Sequence, residues 1–353
     1  MSARAMRTIW REEGVRGCVR KASAAARMSA PLLIKRRRTA AGTGAYFDLV
    51  TDDSRRFYGD NFHFGYFPAG GETLAEAHDA HTDLVATLAD LQEGQRVLDI
   101  GCGLGAPAVR MAKHYRCELT GINISREQIR QGREMIAEAG MDDLVRIEYG
   151  DARKLPFADG SFDAIVCVEV AGDICVTEAD KQTLVGEMFR VLRPGGRVGF
   201  SDLALHSPPS RADRGVLRSV FYDDGSSLVT DWPAVFSEQG FAVSEHRCII
   251  GETMPTWEHV RSIYADDDGE LAQRYGKAIA RRVCGQIERL PEVLHRLGTF
   301  PVLAASKPLE VGVPTPGILE AVDGDDLAAE LTEALLAQPE TLVGDADTLI
   351  PEA

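Results

Sequence analysis

The chain is short of positive charge. Its 353 residues carry 54 Asp and Glu against 39 Lys and Arg, a net charge of −15. An acidic surface does not neutralise phosphates, so a nucleic-acid partner is not expected. Long apolar runs are also missing. No stretch approaches the roughly 18 residues that a membrane span needs. The N-terminus has Arg and Lys but no uninterrupted apolar core, so it does not read as a secretory signal and no membrane insertion is expected. The seven cysteines are odd in number and scattered, with no C-x-x-C pair. Free thiols in a reducing cytoplasm are expected, and no metal site. Aromatic residues make up only 7% of the chain, so a local concentration of them carries meaning.

Charge divides the chain into three regions. Residues 1–40 form a basic arm whose only acids are Glu12 and Glu13, ending in the run Lys35–Arg38. From Leu309 to Ala353 there is no Lys or Arg, and this reads as an acidic, solvated tail with a short helical pattern at Leu327, Leu331, Leu335 and Leu336. Between them, 41–308 reads as one folded body. It opens with an aromatic cap at 41–90 and carries an insertion at 203–240 expected to act as a lid.

Within the body, short apolar strands alternate with helices. "RVLDI" is a strand, and "APAVRMAKHY" a helix with Pro107 in its first turn, where a missing N–H costs nothing. "CELTGINI" is a second strand. The helix after it starts with Ser125 at the N-cap and Gln128 three residues on, the spacing of a capping box. Gly140 ends it in the manner of a C′ residue. "VRIEYGDA", "FDAIVCVEV" and "RVGFSDLAL" follow as three more strands. Such alternation predicts a Rossmann-like α/β fold, a doubly wound and mainly parallel sheet. Ligands of such sheets sit at the carboxyl ends of the strands.

The stretch "RVLDIGCGLGAPAVRMA", Arg96 to Ala112, is where a ligand is expected. Gly101, Gly103 and Ala106 satisfy a loose G-x-G-x-x-G/A pattern, which taken alone also fits a dinucleotide enzyme. Asp99 before the loop would repel a pyrophosphate and attract an ammonium. The third strand runs into "GDARKLPFADGSFDAIV", and "VLRPGGRVGF" supplies a late strand.

Together these four motifs resemble the class I methyltransferases that use S-adenosylmethionine, over about Tyr46 to Pro308. The resemblance implies that fold, that cofactor and its product S-adenosylhomocysteine. It implies that Asp99, Gly101 and Gly103 line the methionine moiety and that Asn123, with Gln128 nearby, stands where an acidic residue usually binds the ribose. Asp151 and Ala152 would meet the adenine. Glu169, ending the fourth strand, would face the reacting centre. Asp163, His114 and Cys102 read as structural.

The most aromatic stretch, "AYFDLVTDDSRRFYGDNFHFGYF", looks like a segment of sterol C-methyltransferases and of bacterial natural-product methyltransferases. "GINISREQI" and "FPVLAASKP" add to the bacterial resemblance. In such relatives this segment covers the sulfonium and the acceptor, and aromatic faces stabilise cations. Tyr46, Tyr58 and Tyr66, with Asp173, His206, Phe221 and Tyr222, are the expected acceptor contacts. His63 and Glu169 are the expected catalytic pair. The expected reaction is methyl transfer to a small, largely apolar metabolite, with carbon favoured over oxygen or nitrogen. A cyclase or rearrangement enzyme with the cofactor as a bound charge stays open, as do a non-catalytic binding module and a homo-oligomer.

The body-closing strand is complete at "FPVLAASKP". A chain cut after Pro308 is therefore expected to keep its turnover. A large fall in the rate constant at saturating substrate would mean instead that Leu331 and Leu335 pack onto the body.

Overall fold

The computed structural model describes residues 40–221, 224–265 and 284–309. The basic arm up to residue 39, the tail from residue 310, Cys18 and Tyr222 lie outside the described residues.

Helices α1 (Ala40–Tyr58) and α2 (Leu74–Leu88) precede the sheet. The alternating core then runs β1 (Arg96–Ile100), α3 (Ala106–Tyr115), β2 (Glu118–Asn123), α4 (Arg126–Glu138), β3 (Val145–Tyr149) and β4 (Phe162–Val168). It continues through α5 (Ala171–Ile174), α6 (Glu178–Val191) and β5 (Leu192–Ser201). The remainder comprises β6 (Ala204–Leu205), α7 (Arg211–Val220), α8 (Trp232–Glu238), β7 (Ala242–Cys248), α9 (Ile250–Thr253) and α10 (Pro255–Ala265). It closes with α11 (Leu290–Leu297), β8 (Gly298–Thr299) and β9 (Pro301–Ser306).

Seven strands form one sheet in the order β3-β2-β1-β4-β5-β9-β7. The first five are parallel; β9 lies antiparallel to β5 and β7 antiparallel to β9, so β9 alone runs against the other strands of this sheet. The chain winds outward from β1 to β3, then returns to place β4 on the other side of β1. That reversal opens a crevice at the carboxyl ends of β1 and β4.

Both sheet faces are covered, which is why the inner strands are apolar without interruption. Side chains alternate between the faces. Ile165 and Cys167 of β4 join Leu98 and Ile100 of β1 in a core under α6 and α8. Ala164 and Val166 face the other way, with Val97, into a core under α2, α3 and α4. A third cluster packs Phe64 among residues of α7, α10 and α11.

Local signals set the element ends. Pro107 lies in the first turn of α3. Ser125 caps α4 by accepting the Gln128 N–H, and Gly140 beyond its end takes φ +63°. The capping box expected there is only half made, because the Gln128 side chain turns to Asn123 instead. Full capping boxes form at Thr73–Glu76 and Thr177–Asp180. The fifth strand breaks after Ser201, and Ala204–Leu205 pairs with β8 in a separate two-stranded ribbon.

The segment 203–240 is not a lid throughout. Trp232, Val235 and Phe236 of α8 are buried in the main core, where the Phe200 ring lies 4.9 Å from that of Trp232 and 5.3 Å from that of Phe236. An apolar helix face beside an uncovered part of the sheet is drawn in by burial. The six cysteines among the described residues are free thiols. No helix among the described residues is long and apolar enough to cross a membrane.

At Gly199 of β5 the backbone of α2 lies directly against the sheet. A Cβ there would lie 2.1 Å from the Val85 carbonyl oxygen and 3.0 Å from the Ala89 nitrogen. Gly199→Ala should therefore destabilise the fold by about 1–3 kcal/mol, the usual cost of overpacking. Gly215, inside α7, has nothing within 4 Å of its Cβ position. Gly215→Ala should stabilise by roughly 0.5–1 kcal/mol from helix propensity. Urea unfolding of the two variants checks the opposite signs.

Candidate active site

The glycine loop leaves β1 by bonds to the neighbouring strand. Gly101 and Cys102 both donate to the Ile122 carbonyl, at 2.9 and 3.2 Å. Gly101, Gly103 and Gly105 all have positive φ, which explains why the loop needs glycine. A Cβ on Gly101 would strike Val170, but one on Gly103 would meet nothing within 4 Å. The space above Gly103 is held open.

Asn123 holds that loop in shape. Its amide donates to the Gly103 carbonyl at 3.0 Å and to Gln128 Oε1 at 2.8 Å, while its own oxygen accepts from the Ser125 N–H at 3.1 Å. Both donor hydrogens are spent inside the protein. Asn123 lines the cleft, yet it offers a ligand only the remaining lone pair of its oxygen. Gln128 Nε2 is buried without a partner.

Two cavities meet at the loop and share Phe62, Gly101, Gly103 and Val168. The larger, about 630 Å³, runs past Asn123, Gln128, Asp151 and Ala152 to Glu169 and Asp173. The smaller, about 480 Å³, is lined by His63, Thr82, Asp99 and Cys102, among others.

Asp151 is anchored by Arg153, whose guanidinium donates to both carboxylate oxygens at 3.1 and 3.0 Å. Arg153 also donates to the Ile174 carbonyl at 3.2 Å. Sequence reasoning missed this arginine, although its i+2 position after a strand-end acid was visible. In the smaller cavity, Asp99 is buried with its Oδ2 unpartnered, and burial pushes its pKa up to about 7.

Glu169 follows β4 with φ +54°, a conformation uncommon for a non-glycine residue. Such a position is a marker of functional strain. Its Oε1 accepts the Phe64 N–H at 2.5 Å. Burial raises its pKa well above the usual carboxylate range; the Phe64 bond opposes the rise and the Asp202 and Asp173 charges add to it.

The Phe64 carbonyl receives two imidazoles, His63 Nδ1 at 2.9 Å and His81 Nδ1 at 2.7 Å. His81 Nε2 bonds to Ser201 Oγ at 2.9 Å. Burial lowers the pKa of His63 to about 4 and that of His81 to about 3. One ligand-type atom each of His63, His81 and Glu169 lies within 4.8 Å of the others. The Phe64 peptide occupies these groups, so their convergence is a hydrogen-bonded hub. His78 and His81, three residues apart on one face of α2, were the signal that sequence reasoning passed over.

Most expected acceptor contacts lie elsewhere. Tyr46 stacks edge-on against Phe47, which is the residue that lines the cleft. Tyr58 and Tyr66 pack on the third core cluster, with Arg247 over the Tyr66 ring. His206 is exposed and bonded to the Arg296 carbonyl at 3.0 Å. Phe221 sits against buried Trp257 at 5.6 Å. Apolar rings find more burial between helices than in an open cleft, and among the described residues of this set only Asp173 lines it.

The residues present fit S-adenosylmethionine. The open space at Gly103 admits a ligand against the loop, Asp99 offers an unpaired carboxylate oxygen to an ammonium, and Gln128 offers an unpaired amide donor beside Asp151. Residues 97–196 match the model of the methyltransferase domain family. The chain is 30% identical to the methyltransferase GfsG of Streptomyces halstedii over 75% of this chain and 94% of that protein. It is 34% identical to the 27-O-demethylrifamycin SV methyltransferase of Amycolatopsis mediterranei over 61% of this chain and 78% of that one. Among solved structures, the cyclase SpnF is similar with a TM-score of 0.66 and 27% identity, over 77% of this chain and 97% of that one.

Gly103→Val should abolish S-adenosylmethionine binding, because the added side chain enters the open space, and should also lower the melting temperature, because φ +56° at this position strains a β-branched residue. Titration calorimetry beside a thermal melt checks both halves of that expectation.

Proposed function

The chain belongs to the class I S-adenosylmethionine-dependent methyltransferases, and on that premise we propose that it methylates a hydroxyl of a small, largely apolar natural product, with Glu169 as the base. The observation that carries this reading is the Glu169 carboxyl on the cleft wall, desolvated and held by the Phe64 N–H. A carboxylate whose pKa is raised by burial is a stronger base for taking a proton from a hydroxyl. The name of one relative, the 27-O-demethylrifamycin SV methyltransferase, supports an oxygen acceptor, while the relatives named as sterol C-methyltransferases keep carbon open.

The sequence favours carbon slightly, because the faces of its aromatic segment would steady a carbocation. With Tyr46, Tyr58 and Tyr66 away from the cleft, and Phe47 and Phe62 the only aromatic residues on it among the described residues, that support weakens.

S-Adenosylmethionine supplies an electrophilic methyl group on a sulfonium. The chain's own task is to align the acceptor for in-line attack and to exclude water. Phe47, Phe62, Val168 and Ile174 give the cleft its apolar wall. Glu169 takes the hydroxyl proton as the new O–CH₃ bond forms. The three carboxylates on the cleft, Asp151, Glu169 and Asp173, have no Lys or Arg among their fellow lining residues. This supports an acceptor that is neutral rather than anionic.

One observation favours a second reading. The likeness to SpnF, a cyclase, supports a rearrangement in which the cofactor stays intact. Incubating host metabolite extracts with enzyme and S-adenosylmethionine separates the two. A product heavier by one methyl group, formed together with S-adenosylhomocysteine, supports transfer, and an isomerised product without S-adenosylhomocysteine supports the cyclase.

With the methylated acceptor in hand, Glu169→Gln should lower kcat by about 10²–10⁴ and leave cofactor affinity unchanged. The active form is the deprotonated one. The wild-type rate should therefore rise with pH along a limb that lies above the ordinary carboxylate range, since burial raises this group. That limb should vanish in Glu169→Gln. A pH–rate profile of both enzymes checks it, and an unchanged profile would move the base elsewhere.

A further inference from the structure

Three buried residues, Phe64, His81 and Ser201, close a circuit of hydrogen bonds with Glu169. The Glu169 N–H donates to the Ser201 carbonyl at 2.8 Å. Its Oε1 accepts the Phe64 N–H at 2.5 Å. His81 joins the two ends. Its Nδ1 faces the Phe64 carbonyl at 2.7 Å and its Nε2 faces Ser201 Oγ at 2.9 Å. A carbonyl only accepts, so Nδ1 bears the hydrogen. Burial lowers the imidazole pKa to about 3 and keeps the group neutral, so Nε2 accepts and the Ser201 hydroxyl donates to it.

The circuit fixes Glu169 at two points, backbone and carboxyl, from the segment before α2, from α2 and from β5. Glu169 has φ +54°, and a non-glycine residue stays in that region only where its surroundings over-determine it. His63 donates to the same Phe64 carbonyl, but from the neighbouring position in the chain, and it lines the smaller cavity. His81 lines neither cavity and is fully buried. Its Nδ1 is 4.0 Å from Glu169 Oε1, too far for a direct bond. It reaches the cleft only through the Phe64 backbone.

We propose that His81 is a positioning residue for the methyl transfer: with Ser201 it holds the Phe64 backbone so that the Phe64 N–H fixes the Glu169 carboxyl on the cleft wall. The proposal rests on the reading of Glu169 as the base. The Phe64 bond steadies the ionised carboxyl against the like charges of Asp173 on α5 and Asp202 beyond β5. His63 and His81 face it as neutral imidazoles, and no Lys or Arg lines the larger cavity among the described residues. Loss of the neutral His81 ring or of the Ser201 hydroxyl therefore changes no charge near Glu169. It loosens Phe64, leaves the carboxylate less supported, and moves its titration to higher pH.

The full chain, labelled with carbon-13 at the glutamate carboxyls, reports that titration directly by NMR. The signal missing from Glu169→Gln identifies Glu169. His81→Phe keeps a ring but loses both bonds, and Ser201→Ala removes only a hydroxyl. In each, the Glu169 midpoint should move to higher pH by about one pH unit, a tenfold change in the proton equilibrium. The double variant should move no further than His81→Phe, because both changes break the same circuit. On the acceptor found by its gain of a methyl group, kcat of His81→Phe should fall roughly 10- to 100-fold, as for a misplaced catalytic group, with cofactor affinity unchanged. A thermal melt runs beside each titration, since a merely structural role lowers the melting temperature without moving the midpoint. If His81→Phe does not fold, Ser201→Ala decides. The proposal is overturned if the midpoint stays at the wild-type value in the folded variants, or if His81→Phe keeps a wild-type kcat that Glu169→Gln loses. The reading of Glu169 as the base fails separately, by a wild-type kcat in Glu169→Gln whatever the midpoints do.

Discussion

The peptide unit of Phe64 is where the N-terminal cap meets the sheet. Its N–H goes to Glu169 beyond β4, and its carbonyl takes His63 from the same segment and His81 from α2. His81 in turn is bonded to Ser201 at the end of β5. Neighbouring bonds tighten the same segment: Gly65 donates to Thr256 Oγ1 at 2.9 Å, Tyr66 to the Ala77 carbonyl at 2.9 Å, and Phe67 to the Glu252 carbonyl at 2.9 Å. Each of these groups is satisfied only when all the elements are in place. A buried network of this kind specifies one arrangement, because a half-made version is worse than none. The position of Glu169, the wall of the smaller cavity and the orientation of His63 all follow from it.

Around this hub, three carboxyls stand at the carboxyl ends of three adjacent strands. Asp99 is near the end of β1, Glu169 follows β4 and Asp202 follows β5. Burial raises the pKa of each, to about 7 for Asp99 and for Asp202. Asp202 is held by the N–H groups of Ala171 and Gly172, at 2.6 and 3.2 Å, which organises the short helix after Glu169. A carboxyl raised in the folded state binds more protons there than in the unfolded chain. Stability therefore falls as pH rises from the ordinary carboxylate range through about 7. The fold accepts that cost at the crevice, where a bound cation beside Asp99 would recover part of it. Elsewhere charge is handled differently. Asp163, between Arg96 and Arg193, and Glu187, beside Arg190, keep pKa values below the ordinary range as structural ion pairs.

The strand order puts this chemistry in one place. Because β4 returns to lie beside β1, the glycine loop and Glu169 emerge next to each other although Gly101 and Glu169 are 68 residues apart. Val170, just beyond Glu169, fills the space over Gly101, so the two strand ends also pack against one another. The acceptor side and the cofactor side are thus two parts of one cleft joined at the loop.

The sequence by itself determined the parts whose causes are local. Strand alternation, Pro107, the Ser125 cap and Gly140 fix elements within a turn or two, and they also place Asp99, Asp151 and Glu169 at strand ends. The glycines had to be glycines because of their positive φ. Tertiary structure alone decided which side chains face the cleft. Phe64 and Glu169 are 105 positions apart, and no local pattern says that they bond. The same holds for Asn123, whose donors are claimed by Gly103 and Gln128, and for α8, which the uncovered sheet draws into the core. Backbone periodicity is settled by neighbours in the chain. The direction of a ring or an imidazole is settled by whichever distant surface buries it best, and that surface exists only once the chain has folded.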